Sequence, residues 1–108
     1  MTPAEWYEEK AQKIKENPAA IEGIKGSFMW DYSADENGFW HMVFPGDGTC
    51  DVGSGEITDP DIRFKAKWEN MYKIITGELN GNLATMTGRL KIKGDMKLAM
   101  KLTVITSL

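Results

Sequence analysis

Residues 86–102 read Met-Thr-Gly-Arg-Leu-Lys-Ile-Lys-Gly-Asp-Met-Lys-Leu-Ala-Met-Lys-Leu. Apolar and basic residues alternate from Leu90 to Lys93, which predicts a strand over residues 89–93 with one buried and one solvated face. Gly94 can reverse the chain, and Asp95 is a typical N-cap for a helix over residues 96–102. A strand followed directly by a helix is therefore predicted for this stretch.

Helical spacing also occupies the segment before this strand. The apolar side chains there follow the i, i+3, i+4, i+7 pattern at Trp68, Met71, Tyr72 and Ile75. This pattern predicts a helix over residues 68–76, with Gly77 well placed as its C-terminal cap. Residues 79–87 are expected to form a further short helix.

The N-terminal half begins with one predicted helix and continues as strands. Thr2-Pro3-Ala4-Glu5 combines an N-cap, a proline at the first helical position and a capping-box glutamate, which predicts a helix over residues 2–16. Alternating apolar residues then predict strands over residues 27–34, 39–44 and 62–67, with a short edge strand near residues 49–53.

Length and composition limit the classes of protein that this chain can represent. Its 108 residues suit a single domain over residues 1–108, and 42% hydrophobic with 27% charged residues is typical of globular proteins. The net charge of −3 argues against a nucleic-acid partner. The N-terminus does not resemble a secretory signal, and the one cysteine, Cys50, suits a reducing compartment, so we expect a cytoplasmic location.

No residue pattern points to a metal, a cofactor or catalytic residues. Residues 46–51 are glycine-rich but lack the third glycine of a dinucleotide fingerprint and the Lys-Ser/Thr pair of a Walker loop, so they predict a turn. His41, the only histidine, cannot complete a zinc site with Cys50 alone. A Cys50–His41 nucleophile pair requires the fold to bring the two together, which leaves a small hydrolase as one alternative.

Three segments resemble the sterol carrier protein 2 family: residues 76–80, 86–96 and 98–102. The order of the predicted elements is also similar, so the resemblance extends over nearly the whole chain. It implies an α+β fold in which about five helices cover one face of a mostly antiparallel five-stranded sheet. It further implies a hydrophobic tunnel for fatty acids, acyl-CoA or sterols, and a domain that is not an enzyme.

The resemblance also indicates which apolar positions face such a tunnel. Phe28 and Trp30 are candidates for the sheet wall, and the helical segments contribute Met71, Ile75, Leu79, Met86, Met96 and Met100. Methionine is flexible and polarizable and suits varied apolar ligands, although the same residues could be ordinary core filler. Asn82 and Thr85 stand where the family commonly has a glutamine and an aromatic residue, which makes that part of the wall less apolar.

Non-catalytic binding or transfer of lipids is therefore the first functional hypothesis. The second is an accessory or oligomerisation module of a lipid-metabolising enzyme, with the tunnel filled by the domain's own side chains. A basic stretch predicts transient contact with anionic membrane headgroups or acyl-CoA phosphates, although it could also be a solvated face. It consists of Arg89, Lys91, Lys93, Lys97 and Lys101, opposed only by Asp95.

Overall fold

Five strands form one mixed sheet in the computed structural model, which describes residues 1–108. The strands are β1 Lys25–Asp31, β2 Phe39–Pro45, β3 Asp51–Ser54, β4 Ile62–Ala66 and β5 Leu90–Gly94. Their order across the sheet is β3-β2-β1-β4-β5. The β1–β4 pair is parallel and the other three pairs are antiparallel, which confirms the predicted mostly antiparallel sheet of an α+β fold.

The helices precede, interrupt and follow these strands. They are α1 Pro3–Glu16, α2 Trp68–Ile75, α3 Gly81–Met86, α4 Met96–Ala99 and α5 Leu102–Thr106, with 3₁₀ turns at Pro18–Ile21 and Ser33–Asp35. Thr2 and Glu5 form the predicted capping box, and the Asp95 side chain accepts a hydrogen bond from the backbone N–H of Lys97 as the predicted cap of α4. No helix has the length and apolar character needed to cross a bilayer.

Two predicted elements differ from the structure. The single helix expected over residues 96–102 is two short helices, because hydrogen bonds from Lys101 N–H to Leu98 O and from Val104 N–H to Lys101 O tighten the backbone at the junction. Only four helices are longer than four residues, so the expectation of about five holds only if the single turn α4 is counted.

The strand expected over residues 27–34 also ends early, at Asp31. The Asp31 carboxylate accepts hydrogen bonds from the Ser33 backbone and hydroxyl, and this local turn starts the 3₁₀ segment. The edge strand expected over residues 49–53 lies at Asp51–Ser54. The alternation of apolar residues located these strands, while side-chain hydrogen bonds determined where one of them stops.

Strand alternation separates an apolar face of the sheet from a charged one. Phe28, Trp30 and Phe64 lie on the inner face, where Trp30 and Phe64 stack with ring centroids 5.4 Å apart. Each has an exposed fraction of 2% or less. The outer face carries two cross-strand pairs of like charge, Arg63 opposite Lys93 and Lys65 opposite Lys91. The core therefore forms between the inner face and the helices.

The cap of α2 comes from a distant part of the chain. Lys67 occupies the N-cap position and makes no side-chain capping bond. The backbone N–H of Trp68 instead donates to the carboxylate of Asp35, at 2.8 Å. The 3₁₀ turn after β1 thus positions α2, which in turn supplies part of the candidate site.

Candidate functional site

A partly apolar cleft of about 580 Å³ lies beside the inner face of β4 and β5. Helix α2 and α3 contribute one part of its wall, and the C-terminal helices α4 and α5 contribute another. The apolar lining consists of Phe64, Met71, Ile74, Ile75, Leu90, Ile92, Ala99 and Leu102. A cavity of this size falls in the range typical of small-molecule sites.

Two periodicities produce this apolar lining. Alternation along β4 and β5 points Phe64, Leu90 and Ile92 to the inner face, while the intervening lysines point outward. Helical spacing along α2 brings Met71 and Ile75 to the same side, one turn apart. The cleft is therefore built from the positions that the fold already requires to be apolar.

The remaining lining residues are uncharged, and all of them except Gly81 have polar side chains. They are Asn80, Gly81, Asn82, Thr85, Thr103, Thr106 and Ser107. Some of their hydroxyls already donate hydrogen bonds to the backbone. The Thr85 hydroxyl donates to Gly81 O at 2.9 Å, and the Ser107 hydroxyl donates to Thr103 O at 2.6 Å. A hydroxyl that donates to the backbone keeps lone pairs with which it accepts hydrogen bonds. The cleft thus combines an apolar wall with hydrogen-bond acceptors and has no charged group in its lining.

The structure has an open cleft at the place of the predicted tunnel, and the cleft is not closed into a tunnel. The elements beside the cleft are short, since α3 has six residues, α4 four and α5 five. Asn82 and Thr85 are both exposed, at the positions where an aromatic or a longer amide was expected. Short helices with small polar side chains leave this side of the cavity open to solvent.

The structure brings some of the eight predicted lining residues to the cleft. Met71 and Ile75 lie on its wall. Phe28 and Trp30 are buried in the core on the same sheet face, and Leu79 packs half-buried against that core. The remaining three, Met86, Met96 and Met100, are exposed, with exposed fractions of 83%, 57% and 78%.

Several lining residues were not among the predicted ones. Phe64, Leu90 and Ile92 share a sheet face, and their alternation with basic residues was visible in the sequence. Ala99 and Leu102 carried no comparable signal, because helical spacing alone does not predict the break between α4 and α5. Ile74 is adjacent to Ile75 and could be assigned to the wall only once the position of α2 was known.

Cys50 and His41 are the reactive side chains that the sequence singled out. Burial raises the pKa of the Cys50 thiol to about 12, so the thiol stays protonated near neutral pH. His41 Nδ1 lies 3.0 Å from the carbonyl oxygen of Gly55. No group of three or more histidine, cysteine, aspartate or glutamate side chains is placed to hold a metal ion.

A second groove, of about 640 Å³, lies on the outer face of the sheet. Its lining includes Arg63, Lys65, Lys91 and Lys93, with Asp31 and Asp59. Since most of its lining is charged, this groove is less suited to an apolar ligand than the cleft on the inner face.

The family model of the SCP-2 sterol transfer family matches residues 7–107 of the chain. Hydroxysteroid dehydrogenase-like protein 2 from Xenopus tropicalis is 36% identical over 97 residues, which cover 89% of this chain and 23% of that protein. The human protein of the same name is 31% identical over 83 residues, covering 76% of this chain and 20% of that protein. The chain thus spans about a quarter or less of the length of these curated relatives.

Solved structures share the fold. The sterol carrier protein domain 2 of Helicoverpa armigera has a TM-score of 0.64 and 26% identity, with coverage of 95% of this chain and 84% of that one. Sterol Carrier Protein 2 from Yarrowia lipolytica, in its apo form, has a TM-score of 0.62 at 24% identity, covering 97% and 78%. The sec-alkylsulfatase Pisa1 from Pseudomonas sp. has a TM-score of 0.80 at 17% identity, with coverage of all of this chain and 16% of that one.

Proposed function

The chain belongs to the SCP-2 sterol transfer family, and on that premise we propose that this lipid-binding domain carries fatty acids, fatty acyl-CoA or sterol-like lipids in its apolar cleft. The observation that carries the proposal is the cleft itself, with an apolar wall and no charged lining. Burial of each CH₂ of a ligand contributes about 0.8 kcal/mol, so a chain of about a dozen CH₂ groups supplies useful affinity without a polar anchor. Such affinity is non-directional, and selectivity among chains is expected to be broad.

Met71 and Ile75 are the predicted contacts that the cleft geometry favours most. Phe28 and Trp30 support the sheet wall from the core, and Leu79 packs against that core. Met86, Met96 and Met100 stay predictions as ligand contacts, at positions outside the apolar wall. We add Phe64, Leu90 and Ile92 as proposed contacts on the sheet side.

The proposed role includes no reaction in this chain. A hydrolase that used Cys50 as its nucleophile would need a thiolate, whereas burial raises the pKa of Cys50 to about 12. The neighbouring carboxylate of Asp51 acts in the same direction. Binding without chemistry is the simpler account of a domain whose partly apolar cleft has no charged side chain in its lining.

Displacement of a fluorescent fatty acid by fatty acids of different length tests the proposal. Fatty acids of many chain lengths are expected to displace the probe from wild-type protein. The variants Ile75→Trp and Met71→Trp are expected to bind the probe weakly, because a larger side chain fills the cleft. Ile75 is only half-buried, so its variant is expected to fold even where Met71→Trp is overpacked. Leu83→Trp, at an exposed position outside the cleft, is the matched control.

Lipid identification in protein purified from cells completes this test. A native mass spectrum is expected to show added mass from a co-purified lipid. The carrier role is wrong if no fatty acid or acyl-CoA binds at micromolar concentration and no lipid co-purifies.

An accessory module of a lipid-metabolising enzyme is the second candidate function. The observation that favours it is coverage, since the chain corresponds to 23% of the Xenopus relative and 16% of the alkylsulfatase. In this role the partner is the enzyme, and the domain's own side chains fill the cavity. The same native mass spectrum separates the two candidates, because an accessory module is expected to carry no lipid and to appear with its partner.

Contact with anionic membranes and a cytoplasmic location are finer parts of the proposal. The basic stretch supports membrane contact, but Lys91 and Lys93 lie on the outer face of the sheet opposite Lys65 and Arg63. The basic stretch is therefore divided between two surfaces. The unpaired Cys50 thiol is compatible with the reducing cytoplasm.

A further inference from the structure

The outer face of the sheet carries a long basic groove. The charged groove of about 640 Å³ shares Lys65 and Lys91 with a neighbouring cavity of about 410 Å³, so the two are continuous along β4 and β5. Six cationic side chains line this combined depression, which we call the basic groove, and all six are exposed. They are Arg63, Lys65, Lys67, Arg89, Lys91 and Lys93.

Few anions offset these cations. The smaller cavity has four of the cations and no acidic residue in its lining. The larger cavity has two carboxylates, Asp31 and Asp59. The Asp31 carboxylate already accepts hydrogen bonds from the Ser33 backbone N–H and hydroxyl, at 2.9 and 2.6 Å. The basic groove therefore has a net charge of +4, on a chain whose total charge is −3.

Strand pairing arranges the six cations in three successive rows. The rows are Arg63 with Lys93, Lys65 with Lys91, and Lys67 with Arg89. The first two rows are cross-strand register pairs, and the third follows where β4 ends and β5 begins. Like charges directly opposite each other destabilise a sheet, and an anion bound along the rows would remove this repulsion.

An extended acidic peptide has the charge spacing that these rows require. Two residues along a strand span about 6.6–6.8 Å, which sets the distance from one row to the next. Alternate side chains of an extended peptide lie on one side of its backbone at this same spacing. A peptide with an acidic residue at every second position can therefore place one carboxylate beside each row.

Nucleic acids and bilayers fit the basic groove less well. Proteins that bind single-stranded nucleic acid stack the bases on aromatic side chains, but the one aromatic residue in the lining, Phe64, is only 1% exposed. A bilayer surface is met by exposed large apolar side chains, and no such side chain lines the groove.

A second copy of the chain is also a poor match. The exposed glutamates that it could offer lie on α1. Helix α1 packs on the inner side of the sheet, where Tyr7 stacks on Trp40 with ring centroids 5.0 Å apart. A contact between α1 of one copy and the outer face of another would be head-to-tail, and it would extend to further copies rather than form a two-fold dimer.

We propose that the basic groove is a docking site for an acidic segment of a partner protein, bound in an extended conformation with its carboxylates beside the three rows of cations. The groove and the lipid cleft lie on opposite faces of the sheet, so the domain can hold a lipid and a partner together. The inference goes beyond the proposed lipid-binding function and does not depend on it.

Fluorescence anisotropy of a labelled peptide tests the proposal. The probe is a fluorescein-labelled peptide in which four glutamates alternate with serines, and the control peptide has glutamine in place of each glutamate. The acidic peptide is expected to bind at low ionic strength and to lose affinity as salt is added, because salt screens exposed charges. The glutamine peptide is expected to give no change in anisotropy.

Two variants of equal net charge locate the site. Lys65→Gln/Lys91→Gln removes one row, whereas Lys13→Gln/Lys15→Gln removes two exposed cations of α1. The first variant is expected to bind the peptide about fivefold more weakly, the loss that corresponds to two exposed ion pairs, and the second is expected to bind like wild type.

An NMR titration of wild-type protein locates the site without any variant. The acidic peptide is expected to shift amide resonances along β4 and β5 and to leave those of α1 unchanged. The proposal is overturned if the acidic peptide does not bind at low ionic strength, if the two variants lose affinity equally, or if the shifts fall outside β4 and β5.

Competing partners are further outcomes of the test. The proposal is also overturned if phosphatidylserine vesicles or single-stranded DNA bind more tightly than the peptide through the same lysines, or if the protein self-associates through this face in sedimentation. Fatty-acid displacement in Lys65→Gln/Lys91→Gln reports on the cleft alone. Unchanged displacement in this variant leaves the lipid-binding proposal intact, whatever the peptide does.

Discussion

Two buried tyrosine hydroxyls form a hydrogen bond with each other in the core. Tyr7 on α1 and Tyr32 after β1 are 1% and 0% exposed, and their hydroxyl oxygens are 2.7 Å apart. Their rings also contact Trp68 at the start of α2, with centroids 6.3 and 5.3 Å away. A buried hydroxyl without a hydrogen-bond partner lowers the free energy of unfolding by about 1–3 kcal/mol. Each tyrosine hydroxyl avoids this penalty because the other one is its partner.

Stability is expected to decline in alkali because of this pair. Burial raises the pKa of both Tyr7 and Tyr32 above the ordinary value near 10, so the folded protein keeps both protons where the unfolded chain loses them. The stabilising contribution is complete below about pH 10 and is lost as the pH rises beyond it. Urea denaturation at several pH values, in a Cys50→Ala background that removes the thiol's similar contribution, measures the decline.

A double-mutant cycle identifies the tyrosines as its source. Tyr7→Phe alone is expected to lower the free energy of unfolding by about 1–3 kcal/mol, because the Tyr32 hydroxyl loses its partner. Adding Tyr32→Phe is expected to recover part of that loss and to flatten the alkaline decline. An unchanged decline in the double variant would show that other groups cause it.

Strands β4 and β5 approach so closely at one end that only glycine fits. Gly94 pairs with Ile62 and has φ +123°, which is strained for any other residue. A Cβ at this position would overlap the carbonyl oxygen of Asp61 and lie 2.9 Å from the Cα of Ile62. The Asp61 carbonyl accepts from Asp95 N–H at 2.8 Å, so it cannot move away without loss of that bond.

Gly94→Ala is therefore expected to be far more destabilising than Gly88→Ala. Gly88 has φ +77° with nothing within 4 Å of a Cβ, so its substitution adds backbone strain of about 1–2 kcal/mol. Gly94→Ala introduces a similar backbone strain and also the overlap with the Asp61 carbonyl oxygen. Its free energy of unfolding is therefore expected to fall by about 1–3 kcal/mol more than that of Gly88→Ala. Denaturant midpoints of the two variants measure the difference. Equal midpoints would mean that β4 and β5 separate without cost.

At the scale of the whole molecule, a side chain of the first helix holds the end of the last helix. Lys10 on α1 is only 6% exposed, and its ammonium donates to the carbonyl oxygens of Thr106, at 3.1 Å, and Leu108. These carbonyls lie at the end of α5, where a cation satisfies unpaired acceptors. The contact holds α5 against the core while its other side lines the cleft.

Ligand binding is expected to stabilise this assembled fold. A fatty acid at about a hundred times its dissociation constant adds about 2.7 kcal/mol to the free energy of unfolding, if the unfolded chain does not bind it. Thermal denaturation with and without the ligand measures the shift in Tm. Ile75→Trp, with its cleft filled, is expected to show little shift, and an equal shift in this variant would place the ligand elsewhere.

The sequence by itself determined the elements and their two-sided character. The capping box at Thr2, the helical spacing of α2 and the alternation along β4 and β5 are local patterns, and each arises from the geometry of a single helix or strand. These patterns, with the family resemblance of residues 76–102, were enough to predict the five-stranded sheet, its charged outer face and a cavity beside its apolar face.

Only the tertiary structure decided which apolar residues line that cavity and which remain exposed. Met71 and Met100 look alike in sequence, yet one is buried at 1% and the other is 78% exposed. The Asp35 cap on α2 and the Lys10 contact with α5 join residues that are 33 and 96 positions apart. The physical reason is that burial and such long-range hydrogen bonds depend on how separate elements pack, whereas periodicity describes each element alone.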